Sequence, residues 1–317
     1  MTTRTRSQPG PHSVVLNGLS IRFHRTLRVP GDGRVSALPP SLGHFTLHPV
    51  GQFASRVPDD WRERGGWFIC MHRREALWLS FSPLGGPVAL KVGVGEVNAL
   101  TGDPWGPELH DDEQDYLVAP PQPWLDGIVD EDGEVRQFVA TTPGQGHTVE
   151  GQIAGAETAG GIQLRAYAAR EGAIAPSPPR TRPWESPGDG VVAYSAPMMA
   201  PEPVASPAPG SPMGIAAGGG IRQEIYTDPH GVGAWDQRTA TEVVVHIIDP
   251  AGYRHITGRP APPSPVTLES YLAAGLPWFD LDDEHLPAQP GSETLKGVAS
   301  LDELESGMDA GASAEEW

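Results

Sequence analysis

The chain has 317 residues and a single cysteine, Cys70. No intramolecular disulfide and no multi-cysteine zinc or iron–sulfur site can therefore form, and folding has to rest on burial. Long apolar stretches are also missing: no uninterrupted run reaches even 18 residues, whereas a membrane-spanning helix needs about 20. Near the N-terminus the longest apolar run is Val14-Val15-Leu16, broken by Asn17-Gly18. That is too short for the hydrophobic region of a secretory signal, so the expectation is a cytoplasmic protein.

Positive charge is scarce, with 22 Lys/Arg against 40 Asp/Glu and a net charge of −18. The imbalance is uneven: residues 1–100 carry 12 Lys/Arg and 6 Asp/Glu, whereas residues 101–317 carry 10 and 34. An acidic chain repels phosphate backbones, and the basic third lacks the clustered Lys/Arg with interleaved aromatics of a nucleic-acid groove, so no nucleic-acid partner is expected. The basic third is expected to face the acidic remainder or a protein partner.

Glycine and proline are abundant, at 39 and 35 residues, which disfavours a helix-rich fold and suggests that part of the chain is unpacked. Asn17-Gly18 stands between apolar runs, and Leu19, Ile21 and Phe23 alternate with polar neighbours, the pattern of a hairpin. Further strands are expected at 67–71, 76–81, 88–97, 134–142, 161–168, 221–226 and 242–248, with 147–153 as a strand pairing with 161–168. Helical signals are few. They comprise Thr267–Ala274, Asp60–Arg64 and Ser300–Glu305, the last with a Ser300/Glu303 capping box. The expected fold is mainly β, an antiparallel sandwich or barrel-like sheet with a few short helices.

Residues 172–213 hold 11 prolines in 42 positions and are expected to form a disordered, flexible insert. Residues 14–171 and 214–290 would then make one discontinuous β-rich domain, and 291–317 an acidic C-terminal tail.

Candidate chemistry is sparse. Cys70 and His72 would share a strand face, so a thiolate–imidazolium pair is conceivable beside the plainer reading of a buried cysteine. Two acidic clusters, 110–115 and 280–285, offer Asp111, Asp112, Asp280, Asp282 and His285 as ligands for a divalent metal, or simply form solvated faces. Asp130-Glu131-Asp132-Gly133 imitates a calcium loop but is explained by a hairpin turn, and Asp228-Pro229-His230-Gly231 is likewise a turn. Four tryptophans follow proline directly, among them Trp105, Trp124 and Trp278, which could form stacking platforms for a sugar or plug the ends of a sandwich. The glycine-rich segments 93–95 and 218–220 lack the lysine and helix of a nucleotide loop.

Several strings resemble a microbial protein family of unassigned function: Arg25-Thr-Leu-Arg-Val-Pro30, Asp60-Trp-Arg-Glu-Arg-Gly65, Gln114-Asp-Tyr-Leu-Val118, Gln122-Pro-Trp-Leu-Asp-Gly127, Thr148-Val-Glu-Gly-Gln152, Ile215-Ala-Ala-Gly-Gly219 and Gly275-Leu-Pro-Trp-Phe-Asp280. The resemblance implies one continuous domain interrupted by an insert, and it implies no activity, cofactor or catalytic residue. The leading expectation is a non-enzymatic interaction or self-assembly protein that associates with another protein or with itself, with no membrane partner and no required cofactor. The alternatives are a metal-dependent hydrolase built on the two acidic clusters and a glycan-binding module built on the loop tryptophans.

Overall fold

Asn17 and Gly18 adopt φ values of 45° and 84°, the left-handed pair that a tight two-residue hairpin requires. They join β1 (Ser13–Leu16) to β2 (Leu19–Thr26), which bury Leu19, Ile21 and Phe23 on one face as alternation predicts. The computed structural model describes residues 11–174, 211–265 and 286–312, together with Thr267, Glu269 and Leu272. Most of the insert expected at 172–213, and most of the helix expected at Thr267–Ala274, lie outside the described residues.

The fold is mainly β. The longer strands are β6 (Ala76–Pro83), β7 (Val88–Val94), β12 (Val135–Thr141), β13 (Ile162–Ala168), β14 (Pro212–Ile221) and β15 (Thr241–Ile248). With β1, β2 and the two-residue strand β8 (Val97–Asn98) they run in the order β1-β2-β6-β12-β14-β15-β13-β7-β8. The main ladders along this path are antiparallel. At β14 the sheet changes course: Pro212 and Met213 pair with β15, whereas 214–221 pair with β12. Both halves contribute to one apolar core, in which Phe23, Leu79 and Phe138 join Val92, Leu164 and Val245. This is the layered solution expected when each half has an apolar face to bury.

Both outer faces are covered as well. On one half, Val50, Val57 and Trp61 pack with Phe68 and Cys70 of β5 (Trp67–Cys70) and with Tyr253 and Ile256. Trp61 sits on α1 (Asp59–Arg64), and Tyr253 and Ile256 sit on α3 (Pro250–Thr257). On the other half, Ala76, Val139 and Ala216 receive Leu301, the first residue of α4 (Leu301–Ala312).

Three expectations need correction. Residues 147–153 are not a strand. Thr148 accepts a hydrogen bond from the Gly151 amide at 2.9 Å and caps α2 (Val149–Ala154), while β13 pairs with β7 and β15 instead. The late strand expected at 221–226 is displaced toward the N-terminus: β14 ends at Ile221 and begins at Pro212, inside the expected insert. Finally, residues 291–301 are not a tail. Leu295, Val298 and Leu301 are buried, and the Ser292 amide donates to the Asp130 carbonyl at 2.8 Å. Acidic composition masked three apolar anchors that cross the sheet.

Candidate functional site

The end of β2 and the loop after it bring Thr26 and Arg28 to the rim of a cleft, and the β5–β6 turn adds Arg73, Arg74 and Glu75. In that turn Glu75 donates its amide to the His72 carbonyl at 3.0 Å, and Arg74 takes a φ of 66°. A left-handed backbone at arginine is unfavourable in isolation and is sustained here by the Arg74 amide donating to the Ala140 carbonyl at 2.7 Å. Ser264 and Pro265 border one side and Asp302 of α4 the other, and the open cleft between them measures about 430 Å³.

The charges in this cleft are organised. The Asp302 carboxylate accepts from the guanidiniums of Arg28 and of Arg74 (3.1 Å) and from the Gly31 amide at 2.8 Å. Glu305, one turn further along α4, pairs with Arg73 at 2.9 Å and Arg74 at 3.2 Å. Partial burial works against ionisation of Asp302, but hydrogen bonds from Arg28 and Gly31 and the charges of Arg28 and Arg74 outweigh it, holding the carboxyl below its ordinary range. Nearby, Glu75 accepts from Arg25 Nε at 2.6 Å and from the His72 amide at 2.7 Å. Its almost complete burial pushes its pKa up despite those partners. The helix itself starts on the expected capping box, with the Ser300 amide donating to Glu303 at 2.6 Å and the Glu303 amide donating to Ser300 Oγ at 3.3 Å.

The uneven charge of the sequence is thus partly an internal complementarity. Arg28, Arg73 and Arg74 from the basic third meet Asp302 and Glu305 from the acidic remainder, as Lys91 meets Asp115 at 2.7 Å. Within the sequence only the charge asymmetry pointed to this cleft, and no local motif did.

The sequence candidates fall elsewhere. Asp111 and Asp112 are exposed on the 110–115 turn, whose buried Asp115 is taken up by Lys91, His110 and the His110 amide. Asp280, Asp282, His285 and Trp278 lie outside the described residues. Among the described residues no group of three or more His, Cys, Asp or Glu is placed to hold a metal ion. Trp124 is enclosed with Leu38 and Trp78, and its indole N–H donates to Asp126 at 2.9 Å, so it presents no ring to a ligand. Trp105 is half-buried over Gly93, donates to Glu242 at 3.2 Å, and has Lys91 Nζ 5.9 Å from its ring centre.

Cys70 is buried, and burial, with the Glu75 charge in the same direction, pushes its thiol up to about 12, which removes the thiolate a Cys70–His72 pair requires. His72 Nε2 contacts the Pro262 carbonyl at 3.1 Å. Asp130 accepts from the amides of Asp132 and Glu134, both at 3.0 Å, as a turn does. Asp228 accepts from the Tyr116 hydroxyl at 2.7 Å and the Trp235 indole at 2.8 Å, so the 228–231 turn closes a packed corner.

No family model, curated protein or solved structure matches this chain. No described helix is long and apolar enough to cross a membrane.

Proposed function

We propose that the protein is a non-enzymatic, cytoplasmic interaction and self-assembly protein whose working surface is the arginine cleft and the acidic helix α4 docked in it. The supporting observation is the pairing of Arg28, Arg73 and Arg74 with Asp302 and Glu305 around one buried leucine, Leu301. Partly exposed ion pairs contribute only about 0.2–1 kcal/mol each. Among its described residues the helix itself carries only Leu301 as a buried apolar anchor, because Leu295 and Val298 lie in the segment before it. α4 is therefore suited to exchange, swinging out of its own cleft and docking in the cleft of a neighbouring copy while that segment stays anchored. Because cleft and helix are different surfaces, that contact is heterologous and builds a ring or an open chain of subunits. A strongly acidic chain with one bounded arginine cluster suits an acidic protein segment and disfavours nucleic acid.

The test is the light-scattering mass at low and high salt, for the natural chain and for Arg73→Gln/Arg74→Asn. Exchange predicts particles larger than the 33.7 kDa chain at low salt, shrinking as salt screens the pairs and absent in the double variant. A monomer under every condition overturns the reading.

A further inference from the structure

The geometry points to a second property of the same cleft: it is a binding site for a small phosphorylated ligand, a phosphomonoester, for which the Asp302 carboxylate is the built-in stand-in. The inference rests on the reading that the cleft is the working surface and names the ligand class that governs it.

Three observations carry it. First, Asp302 is held as a bound oxyanion is held, with two guanidiniums and a backbone amide converging on one carboxylate. Second, that carboxylate leaves much of the available donor capacity unused. Each guanidinium has five N–H donors. Arg28 Nε is buried without a hydrogen-bond partner among the described residues, and Arg73 and Arg74 remain 49% and 46% exposed. A buried N–H without an acceptor costs about 1–3 kcal/mol, which a ligand with more oxygens can recover. Third, α4 does not fill the cleft: about 430 Å³ is left, lined by the hydroxyl residues Thr26, Ser264 and Thr267 as well as the arginines. That volume lies within the roughly 300–1,000 Å³ typical of small-molecule sites.

A phosphomonoester fits these features better than a second carboxylate because its three terminal oxygens and charge near −2 can engage several guanidiniums at once. A long polyanion fits worse, since Glu75, Asp302 and Glu305 ring the arginines and the whole chain carries a net charge of −18. Ligand and Asp302 then compete for Arg28 and Arg74, so binding loosens the first turn of α4.

The experiment is calorimetric titration of the full chain in chloride buffer with three probes: inorganic phosphate, ribose 5-phosphate and ribose. Saturable binding of ribose 5-phosphate but not ribose is expected. A comparable affinity for inorganic phosphate would assign the site to the free ion, and a weaker one to the ester. Asp302→Asn removes the competing carboxylate and should tighten binding by about tenfold, equivalent to about 1.4 kcal/mol. Arg74→Asn, a residue that tolerates the left-handed backbone, should weaken binding at least as much. If Asp302→Asn does not fold, Glu305→Gln should give a smaller gain in the same direction. Absence of saturable binding to the natural chain and to the carboxylate variants overturns the inference, as does binding that Arg74→Asn leaves unchanged. Light scattering reads assembly and calorimetry reads the ligand, so either proposal can fail without the other.

Discussion

The imidazole of His24 lies flat against the indole of Trp78, with ring centroids 3.6 Å apart and planes within 3°. Its two ring nitrogens are held by Ser41 Oγ at 2.9 Å and Ser80 Oγ at 2.7 Å. Burial, with the neighbouring charges of His44 and Arg22, lowers its pKa to about 2. His246, stacked on Trp61 and donating to the Gly65 carbonyl at 3.0 Å, is lowered by burial to about 4.

Both histidines have folded pKa values below their unfolded value. They therefore favour the fold fully above about pH 6.5, and that contribution is lost as pH falls toward the folded values, at up to about 1.4 kcal/mol per pH unit for each. Urea unfolding should show stability falling from pH 7 to pH 4.5, offset in part by Glu75, whose raised pKa lets the fold take up its proton before the unfolded chain does. The depressed carboxyls of Asp302 and Glu303 add a further loss only below the ordinary carboxylate range. An unfolding midpoint constant from pH 7 to pH 5 would show that these imidazoles are protonated without penalty.

Lys91 and Asp115 form a pair whose side chains are 2% and 5% exposed, and Lys91 also donates to the Glu108 carbonyl at 2.6 Å. Removing one partner strands the other charge, so Asp115→Ala should cost about 3–5 kcal/mol in chemical unfolding. Lys91→Met/Asp115→Leu, which removes both charges at similar volume, should recover most of that loss. Equal destabilisation of the single and double variants would refute the ion-pair account.

Gly219 faces the backbone of Pro30, and a Cβ there would stand 2.0 Å from the Pro30 carbonyl oxygen. Gly219→Ala should therefore destabilise the fold by about 1–3 kcal/mol. A variant with unaltered melting temperature would show that the loop yields freely.

Cys70 should resist alkylation in the native protein, since its thiol is buried and its pKa is pushed up to about 12. Iodoacetamide labelling followed by mass spectrometry should give modification only after denaturant is added. Rapid labelling at pH 7.5 without denaturant would overturn the assignment of Cys70 to the packing between β5 and α3.

Features set by neighbouring residues were legible in the sequence. The Asn17-Gly18 hairpin and the Ser300/Glu303 capping box depend on backbone geometry within a few residues, and both form as their residue types require. Alternation also marked the strands expected at 76–81, 88–97 and 161–168, which form at 76–83, 88–94 and 162–168. The second stops early because Gly95 and Glu96, both at positive φ, turn the chain back so that Val97 pairs with Val94. Alternation failed at 147–153, where Thr148 caps a helix. There two nearby carboxylates tie down the surrounding loops, Glu150 accepting from the amides of 158–160 and Glu157 from those of 144, 146 and 148.

The cleft was decided only by the tertiary structure. Arg28 and Asp302 are 274 positions apart, and no spacing rule reaches across such a separation. Composition placed positive charge early and negative charge late. The burial of Leu295, Val298 and Leu301 against the sheet then carried Asp302 and Glu305 to the arginines, because apolar contact anchors the crossing segment and the weaker charge pairs act only once that placement is made.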